Sequence, residues 1–174
     1  MMPPAFAYAI EPLNQQHNRS DFCCGVEALD RYLREQAGQD MRRRIAAPFV
    51  LHDLNAKRIA GYYTLAATAI SLEQLPPELA KRLPAYPLLP ATLLGRLAVD
   101  ERYQGQKLGT FLLFDALRRS LTSEIASMAV VVDAKNEKAS AFYEYHQFIP
   151  FTEQTRRKYL PMTTIARLFS DLGK

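Results

Sequence analysis

A chain of 174 residues with 48% hydrophobic residues can bury a hydrophobic core, and no linker-like stretch divides it, so we expect one domain over residues 1–174. No run approaches the roughly 20 apolar residues of a membrane span, and Met1–Pro12 lacks the pattern of a secretory signal, which predicts a cytoplasmic protein. The net charge of +4 favours an anionic partner, and clustered basic residues indicate one more strongly than the total does. The two dense basic runs are Arg42-Arg43-Arg44 and Arg156-Arg157-Lys158.

The N-terminal half is predicted to contain a strand, a helix and a hairpin. Ala7–Leu13 is strand-like, and apolar residues then recur at helical spacing over Val26–Gly38. Phe49–Asp53 and Ile59–Ala67 are apolar runs separated by a turn-favouring segment, which predicts two paired strands. Leu72–Pro90 contains five prolines and is expected to be an exposed excursion with a short helix.

The C-terminal half has the pattern of a β-α-β unit followed by a capped helix and closing strands. Its predicted elements are a strand over Leu93–Val99, a helix over Leu108–Leu121, a strand over Met128–Ala134, a helix over Glu137–Tyr145, and strands over Phe148–Phe151 and Lys158–Pro161. Asn136 is placed to cap the second helix. These elements together indicate an α+β sheet protein.

The turn between the first strand and helix of this unit, Gln104–Thr110, contains two glycines. Gly105 and Gly109 permit unusual dihedral angles and a close approach to a ligand. A strand-turn-helix of this kind exposes backbone N–H groups at the positive end of a helix dipole, which favours phosphate binding. Ordinary capping turns have a similar pattern, so the turn alone is weak evidence.

The same turn resembles the acetyl-CoA signature of the GNAT N-acetyltransferase family, in which Arg or Gln is followed by two residues, Gly, any residue, and Gly or Ala. Gln104 and Gly109 fill the first and last places, whereas Lys107 stands where the family usually has its middle glycine. A positive φ at Lys107 would cost up to about 3 kcal/mol, although its charge could lie near a phosphate. The resemblance implies the GNAT fold, a mixed, mostly antiparallel sheet of six to seven strands with helices on both faces and a splayed central strand pair.

The resemblance also implies which residues bind acetyl-CoA. In the family, the turn holds the pyrophosphate, the preceding strand pairs its backbone with the pantetheine arm, and a later helix contributes further contacts. A backbone N–H of that strand could also polarise the thioester carbonyl. The implied cofactor-binding residues are Leu97, Ala98, Val99, Gln104, Gly105, Gln106, Lys107, Leu108, Gly109, Thr110, Asn136, Ala139 and Phe142.

The later helix carries the predicted catalytic residue. Asn136–Phe148 resembles the family's helix of N, A, FY and GF, with Gln147 in place of the usual glycine. The resemblance implies that Tyr143 points its hydroxyl at the thioester sulfur. A phenol of ordinary pKa, ~10, is protonated at neutral pH and can donate a proton to the departing thiolate, so Tyr143 is the predicted general acid. The alternative is that Tyr143 only packs, on one helical face with Ala139 and Phe142.

The N-terminal half resembles a narrower group, the toxins of bacterial GNAT-type toxin–antitoxin pairs. Phe22–Gly25 and Leu29–Leu33 match the group's "F-x-C-G" and "LD-x-(W/Y)-L", Gly61–Leu65 matches "G-(F/Y)-Y-(S/T)-L", and Arg96–Asp100 matches "RLAVD". This resemblance implies acetylation of the α-amino group of an amino acid carried on tRNA, which blocks translation. It also implies a cognate antitoxin, expected to be of the ribbon-helix-helix type, and a homodimer.

Binding of tRNA takes most of its affinity from neutralisation of phosphates by Lys and Arg. The leading candidates for RNA contacts are Arg42, Arg43 and Arg44, and the weaker ones are Arg34, Arg96, Arg156 and Arg157. A solvated charged face is the alternative for each basic run. Arg96 lies mid-strand and could equally pair with an internal carboxylate.

Two other functions stay open from the residues. The first is a GNAT enzyme that acetylates another amine, such as a protein N-terminus or a small molecule. The second is a non-catalytic module that binds acyl-CoA or RNA, in which Lys107 and Gln147 mark a degraded site. No carboxylate near the turn is assigned as a catalytic base, because strand ends and helix starts commonly carry acids.

The chain is not expected to hold a metal ion. Cys23 and Cys24 are adjacent, whereas metal sites normally use ligands spaced by two or more residues. The histidines, His17, His52 and His146, are scattered along the sequence. We therefore predict reduced cysteines that serve as packing residues.

Overall fold

The computed structural model describes residues 7–173. Its strands are β1 (Tyr8–Pro12), β2 (Ala47–Asp53), β3 (Arg58–Ser71), β4 (Leu88–Val99), β5 (Ala129–Asp133), β6 (Ile149–Pro150) and β7 (Arg157–Pro161). Its α-helices are α1 (Glu27–Arg31), α2 (Ala37–Arg42), α3 (Pro77–Ala80), α4 (Leu108–Thr122), α5 (Glu137–Tyr145) and α6 (Met162–Leu172). None of these helices is both long and apolar enough to cross a membrane.

The seven strands form one mixed sheet in the order β1-β2-β3-β4-β5-β7-β6. The pair β4–β5 is parallel, and the pairs β1–β2, β2–β3, β5–β7 and β6–β7 are antiparallel. A parallel pair needs a long crossover connection, which α4 supplies between β4 and β5. The predicted α+β fold with a mostly antiparallel sheet of six to seven strands is confirmed.

The chain divides into two compact units. Residues 7–66 and 95–116 of the described chain belong to the first unit, and residues 67–94 and 117–173 belong to the second. β3, β4 and α4 each contribute residues to both units.

An aromatic cluster forms the core of the first unit. The ring of Tyr62 contacts Phe22 edge-on at 5.5 Å and stacks on Tyr32 at 6.3 Å, measured between ring centroids. The Tyr62 hydroxyl donates a hydrogen bond to the carbonyl of Leu29, and the Tyr32 hydroxyl donates one to Asp40, each satisfying a buried polar group. The aromatic positions of the N-terminal motifs are therefore core positions.

The first helical region is longer than predicted and contains an inserted residue. Helix was expected over Val26–Gly38, whereas the structure has α1, a π-helical segment over Tyr32–Gln36, and α2, which ends at Arg42. At the end of the π segment, the N–H of Ala37 donates to the carbonyl of Tyr32, five residues earlier. Single-turn π segments of this kind occur often at functional sites.

Gly61 on β3 is required by a close approach of the backbone. A Cβ at this position would lie 2.8 Å from the carbonyl oxygen of Ala98 and 2.8 Å from Cδ1 of Leu112. Neither the backbone of β4 nor a fully buried leucine on α4 can move freely in a packed core. The glycine of the "G-(F/Y)-Y-(S/T)-L" motif therefore serves packing.

We expect Gly61→Ala to lower the free energy of unfolding by about 1–2 kcal/mol, because one added methyl group overpacks this contact. Chemical denaturation measures the change. Gly173→Ala is the matched control, since a Cβ there would have only ordinary contacts, at 3.6 Å. Equal stability of Gly61→Ala and the wild-type protein would show that the strand and helix can separate without cost.

The proline-rich segment supplies part of the core of the second unit, contrary to the expectation that it is exposed. Leu75 is buried and packs with Ile70, Val131 and Tyr159, and Leu72, Leu79 and Leu83 are partly buried against the same cluster. A Ser71 capping box starts a short 3-10 turn, and α3 begins at Pro77, where its missing N–H costs nothing. The first part of the segment therefore packs against the core, whereas the predicted short helix is present as α3 and Pro84 to Leu88 are exposed as expected.

Most predicted elements lie within a few residues of the observed ones. Asn136 caps α5 as expected, since its Oδ1 accepts the N–H of Ala139 at 2.8 Å. β4 begins at Leu88, five residues earlier than predicted. α6 was missed, although its apolar residues recur at helical spacing around the buried Ile165.

Candidate functional site

The predicted phosphate-binding turn lies between β4 and α4 in the first unit. Its residues Gln104 to Lys107 are exposed, and Leu108 is buried at the start of α4. The side-chain amide of Gln104 donates to the carbonyl of Val99 at 2.9 Å and to that of Cys24 at 3.1 Å. Gln104 thereby fixes the turn to the end of β4 and to the N-terminal motif loop.

The turn leaves the N-terminus of α4 open to an anion. Gly105 has a φ of +84°, and a Cβ placed on it would meet nothing within 4 Å. The N–H of Phe111 donates to the carbonyl of Lys107, so the N–H groups before it precede the intrahelical ladder. The first turn of α4 carries no acidic residue. An anion there would meet backbone N–H groups at the positive end of the helix dipole, so the site fits a diphosphate.

The two departures from the family's glycines both adopt the left-handed conformation. Lys107 has a φ of 63°, as expected if this position needs the dihedral of a glycine, and Gln147 has a φ of 73°. At the end of α5, the N–H of Phe148 donates to Tyr143 and that of Gln147 donates to Glu144. These are the two bonds of a Schellman motif, in which Gln147 occupies the position that glycine favours.

We expect Gln147→Gly to raise the free energy of unfolding by about 0.5–1 kcal/mol, because relief of the left-handed strain exceeds the entropy that glycine adds to the unfolded chain. For a protein of this size the corresponding rise in Tm is about 2 °C. Calorimetry checks it against Gln147→Ala, which keeps the strain. A fall in Tm for the glycine variant would mean that the Gln147 side chain stabilises the turn.

The strand β4 contributes residues to both units. Within the second unit, Thr92, Leu93 and Leu94 pair in parallel with Val130, Val131 and Val132 of β5. In the first unit, Ala98 is buried in the core, while Leu97 and Val99 are half-buried. The residues that the resemblance assigns to the pantetheine arm therefore lie at the end of β4, in the first unit.

Asp100, which ends the "RLAVD" motif, joins two segments of the chain by hydrogen bonds. Its side chain is buried, Oδ2 accepts the N–H of Cys23 at 3.0 Å and Nη2 of Arg102 at 2.8 Å, and Oδ1 accepts the backbone N–H and Nε of Arg102, both at 2.9 Å. Burial by itself would raise the pKa of Asp100, but these hydrogen bonds and the charge of Arg102 outweigh it and lower the pKa. A carboxylate held by four donors is unsuited to act as a base. The sequence alone predicts no role for Asp100, because its partner Cys23 lies 77 residues away.

In the second unit, α5 presents the predicted catalytic tyrosine. Tyr143 is buried, with ring centroids 5.3 Å from both Phe142 and Phe148. Burial raises the pKa of its hydroxyl above the ordinary value, so the phenol is fully protonated at neutral pH. Tyr145, two residues later, is 83% exposed. The helix therefore distinguishes the two tyrosines sharply.

The other residues assigned to this helix are its N-cap, Asn136, and two residues within it, Ala139 and Phe142. Asn136 is exposed and caps the helix, and Ala139 and Phe142 are half-buried. The cofactor residues of β4, the turn and α4 belong to the first unit, and those of α5 belong to the second.

The candidate RNA-binding arginines fall into two classes. Arg42, Arg43 and Arg44 are exposed at the end of α2, and within residues 7–173 none of them forms a salt bridge. Arg34 donates to the carbonyl of Phe22 and pairs with a glutamate. Arg96 places its guanidinium 3.5 Å from the ring centroid of Tyr32, a cation–π contact at a half-buried position. Arg34 and Arg96 are thus already engaged.

The two weaker candidates in the second unit also have partners. Arg156 lies 3.7 Å from Glu137, and Arg157 lies 3.2 Å from Asp133, which is its cross-strand neighbour. Paired arginines contribute less net charge to a phosphate-binding surface than unpaired ones do.

Two of the three histidines, scattered in the sequence, meet in the structure. Nε2 of His17 lies 2.6 Å from Oε1 of Glu11, and Nδ1 of His52 lies 3.5 Å from the same oxygen. Nδ1 of His17 accepts the N–H of Asn14, so the proton of this imidazole lies on Nε2 and is donated to Glu11. Because both ring nitrogens are used in this way, we interpret the cluster as a hydrogen-bonded anchor.

Comparison with known proteins identifies close similarity over most of the chain. Residues 90–168 match the family described as the acetyltransferase (GNAT) domain. The chain is 33% identical over 131 residues to a tRNA-acetylating toxin of Mycobacterium tuberculosis. The aligned region covers 74% of this chain and 76% of that protein.

Two solved structures extend the similarity to three dimensions. The toxin AtaT in complex with acetyl-methionyl-tRNAfMet superposes with a TM-score of 0.86 at 31% identity, covering 93% of this chain and 99% of that one. A mutant AtaT toxin bound to acetyl-CoA and to the C-terminus of the antitoxin AtaR superposes with a TM-score of 0.79 at 28% identity, covering 94% and 98%.

Proposed function

This chain belongs to the GNAT acetyltransferase family, and from that premise we propose that it is a toxin that uses acetyl-CoA to acetylate the α-amino group of aminoacyl-tRNA. The observation that carries the proposal is the open N-terminus of α4, with its exposed turn and acid-free first turn, in a chain that resembles a tRNA-acetylating toxin over three quarters of its length. Acetylation of the α-amine blocks its use in translation.

The cofactor residues are proposed from the turn outwards. Backbone N–H groups of Gly105 to Thr110 would hold the pyrophosphate, with Lys107 adding a positive charge, and the backbone of Leu97 to Val99 would bind the pantetheine arm. Acetyl-CoA supplies an acetyl group activated as a thioester. Asn136, Ala139 and Phe142 complete the proposed set.

The chemistry requires an acid more than a base. An α-amine with an ordinary pKa near ~8 is partly neutral at cellular pH, so it can attack without a strong protein base. As the amine nitrogen bonds to the thioester carbon and the C–S bond breaks, we propose that the Tyr143 hydroxyl donates its proton to the departing thiolate, for which its raised pKa keeps it protonated. The proton that the amine loses passes to water, and water returns a proton to the Tyr143 phenolate. Arg42, Arg43 and Arg44, which lack salt bridges within the described chain, are proposed to contact the tRNA backbone.

The cellular setting follows from this activity. We propose that residues 1–174 act as a single acetyltransferase domain in the cytoplasm, where aminoacyl-tRNA is used. AtaT binds the C-terminus of its antitoxin AtaR, and we propose a cognate antitoxin for this chain too.

The test is an acetyl-transfer assay with purified protein, labelled acetyl-CoA and charged tRNA. We expect label in the α-amide of the aminoacyl group and none in deacylated tRNA. Turnover with a polyamine or a protein N-terminus alone would establish the first alternative function. Binding of acetyl-CoA without turnover on any amine would establish the non-catalytic alternative.

A further inference from the structure

An open groove without acidic residues crosses the surface of the first unit. It consists of two adjoining depressions, of about 350 Å³ and 100 Å³, between the loop of residues 13–20 and the helical segment that ends at Arg42. Arg19 lines both depressions, Arg34 lines the larger one and Arg42 the smaller one. No Asp or Glu is among the lining residues, and of the three lining arginines Arg34 pairs with Glu27 whereas Arg19 and Arg42 form no salt bridge within residues 7–173.

Two of its guanidinium groups converge above Gly38, the second residue of α2. A Cβ on Gly38 would lie 3.2 Å from Nη1 of Arg19 and 3.3 Å from Nη1 of Arg42. Glycine inside a helix costs about 1 kcal/mol relative to alanine. Its presence here gives the two guanidinium groups room to approach the same point of the helix.

The loop that carries Arg19 is held in place by the cluster described above. His17 bonds to Glu11, the N–H of Asn14 bonds back to His17, and the side chain of Asn18 accepts the N–H of Ser20. Nη1 of Arg19 itself reaches the carbonyl of Leu33 in the π-helical segment at 3.4 Å. The position of Arg19 is therefore organised before any ligand binds.

Arg19 and Arg42 differ in one respect from six other arginines of the protein. Arg31, Arg34, Arg58, Arg102, Arg156 and Arg157 each form a salt bridge. Among the residues that the structure describes, Arg19 and Arg42 form none. Like charges directed to one point repel each other, and an anion between them would reverse the sign of that interaction.

We propose that Arg19 and Arg42 form a clamp over Gly38 that binds a backbone phosphate of the tRNA substrate. Arginine presents a planar fork of N–H donors that matches phosphate oxygens, and two such forks can bind one phosphate from both sides. The groove continues past the clamp to Arg34, which suits a strand that carries further phosphates. This inference rests on the proposed function for the identity of the RNA, and it adds Arg19 and Gly38 to the RNA-binding residues.

The experiment compares Arg19→Ala, Arg42→Ala and Gly38→Asp with the wild-type protein. The last variant keeps both arginines and places a carboxylate where the phosphate would bind. Arg82→Ala is the matched control. Arg82 is exposed and lies in the other unit, and its replacement removes the same charge. Binding of deacylated tRNA is measured by fluorescence anisotropy between about 50 and 200 mM salt, so the readout does not depend on turnover.

For each clamp variant we expect affinity for tRNA to fall about tenfold at the lower salt concentration, and the salt slope to decrease by about 1 for each arginine lost. With charged tRNA the KM should rise by a similar factor, while the KM for acetyl-CoA stays near that of the wild type. Arg82→Ala should change neither quantity. Inorganic phosphate at millimolar concentration should not displace tRNA in the same anisotropy measurement if the site requires an RNA strand.

Three results would overturn the clamp. They are a wild-type affinity and salt slope in all clamp variants, an equal loss in Arg82→Ala, and saturation of the site by free phosphate. Unchanged tRNA binding in the variants of a protein that acetylates charged tRNA would reject the clamp and keep the enzyme. Tight, clamp-dependent binding by a protein without turnover would reject the enzyme and keep the clamp. Thermal melting of each variant separates loss of binding from loss of folding.

Discussion

Tyr143→Phe is expected to reduce the turnover of acetyl transfer at least tenfold and to leave the affinity for acetyl-CoA close to that of the wild type. The substitution removes the proton that the departing thiolate needs, and positioned general acids contribute about 10²–10⁴-fold to such steps. Burial alone accounts for the raised pKa of Tyr143, with no charged or hydrogen-bonding partner contributing to the shift. Phenylalanine should therefore fit the same packing between Phe142 and Phe148.

Single-turnover kinetics with charged tRNA, together with calorimetric titration of acetyl-CoA, measure the two quantities separately. Tyr145→Phe is the matched control, because Tyr145 lies on the same helix and is 83% exposed. A near-normal rate for Tyr143→Phe would reduce Tyr143 to a packing residue. A large loss of acetyl-CoA affinity would instead assign the hydroxyl to cofactor binding.

Asp100→Asn should lower the free energy of unfolding by about 3 kcal/mol at neutral pH. Each oxygen of Asp100 accepts two hydrogen bonds, and all four come from donors on Cys23 and Arg102. An amide NH₂ must replace one oxygen, so two donors would then face another donor in a buried position. An unsatisfied buried group costs about 1–3 kcal/mol, and more for a charged one.

The destabilisation should depend on pH. The pKa of Asp100 is lowered by folding, so its contribution is complete above the unfolded pKa of ~3.9 and is lost as the pH falls through the lower, folded pKa. The difference between wild type and Asp100→Asn should therefore shrink below about pH 4. Urea denaturation at neutral pH and below about pH 4 measures this difference in unfolding free energy. The control is Asp171→Asn, a substitution at an exposed residue. A difference independent of pH would show that shape, not charge, is the cause.

Local chemistry made parts of this structure predictable. Asn136 before an apolar-periodic segment predicted both the start and the cap of α5, because a capping side chain and the helix it begins lie within four residues of each other. The turn at Gln104 and the positive φ of Lys107 were also predictable, since a strand, a glycine-containing turn and a helix are consecutive in the chain.

Features that depend on distant residues were not predictable in this way. Asp100 and the N–H of Cys23 are 77 residues apart, and nothing in either segment reveals their hydrogen bond. The same holds for His52, which joins Glu11 and His17 only through the pairing of β1 with β2. The π-helical segment also gave no signal, because apolar spacings of three and four residues do not reveal an inserted residue. The prolines of Leu72–Pro90 were misleading because Leu75 and Leu89 between them are buried and Leu72, Leu79 and Leu83 are partly buried.

The left-handed residues Lys107 and Gln147 bear on how distant relatives of this protein are recognised. A search that demands glycine at the two corresponding places would discard this chain, although its backbone adopts the left-handed conformation that glycine favours there. The inherited property at these positions is a torsion angle, and glycine is only the residue that adopts it most easily. Divergent members should therefore be sought with patterns that admit Asn, Lys or Gln at both corners.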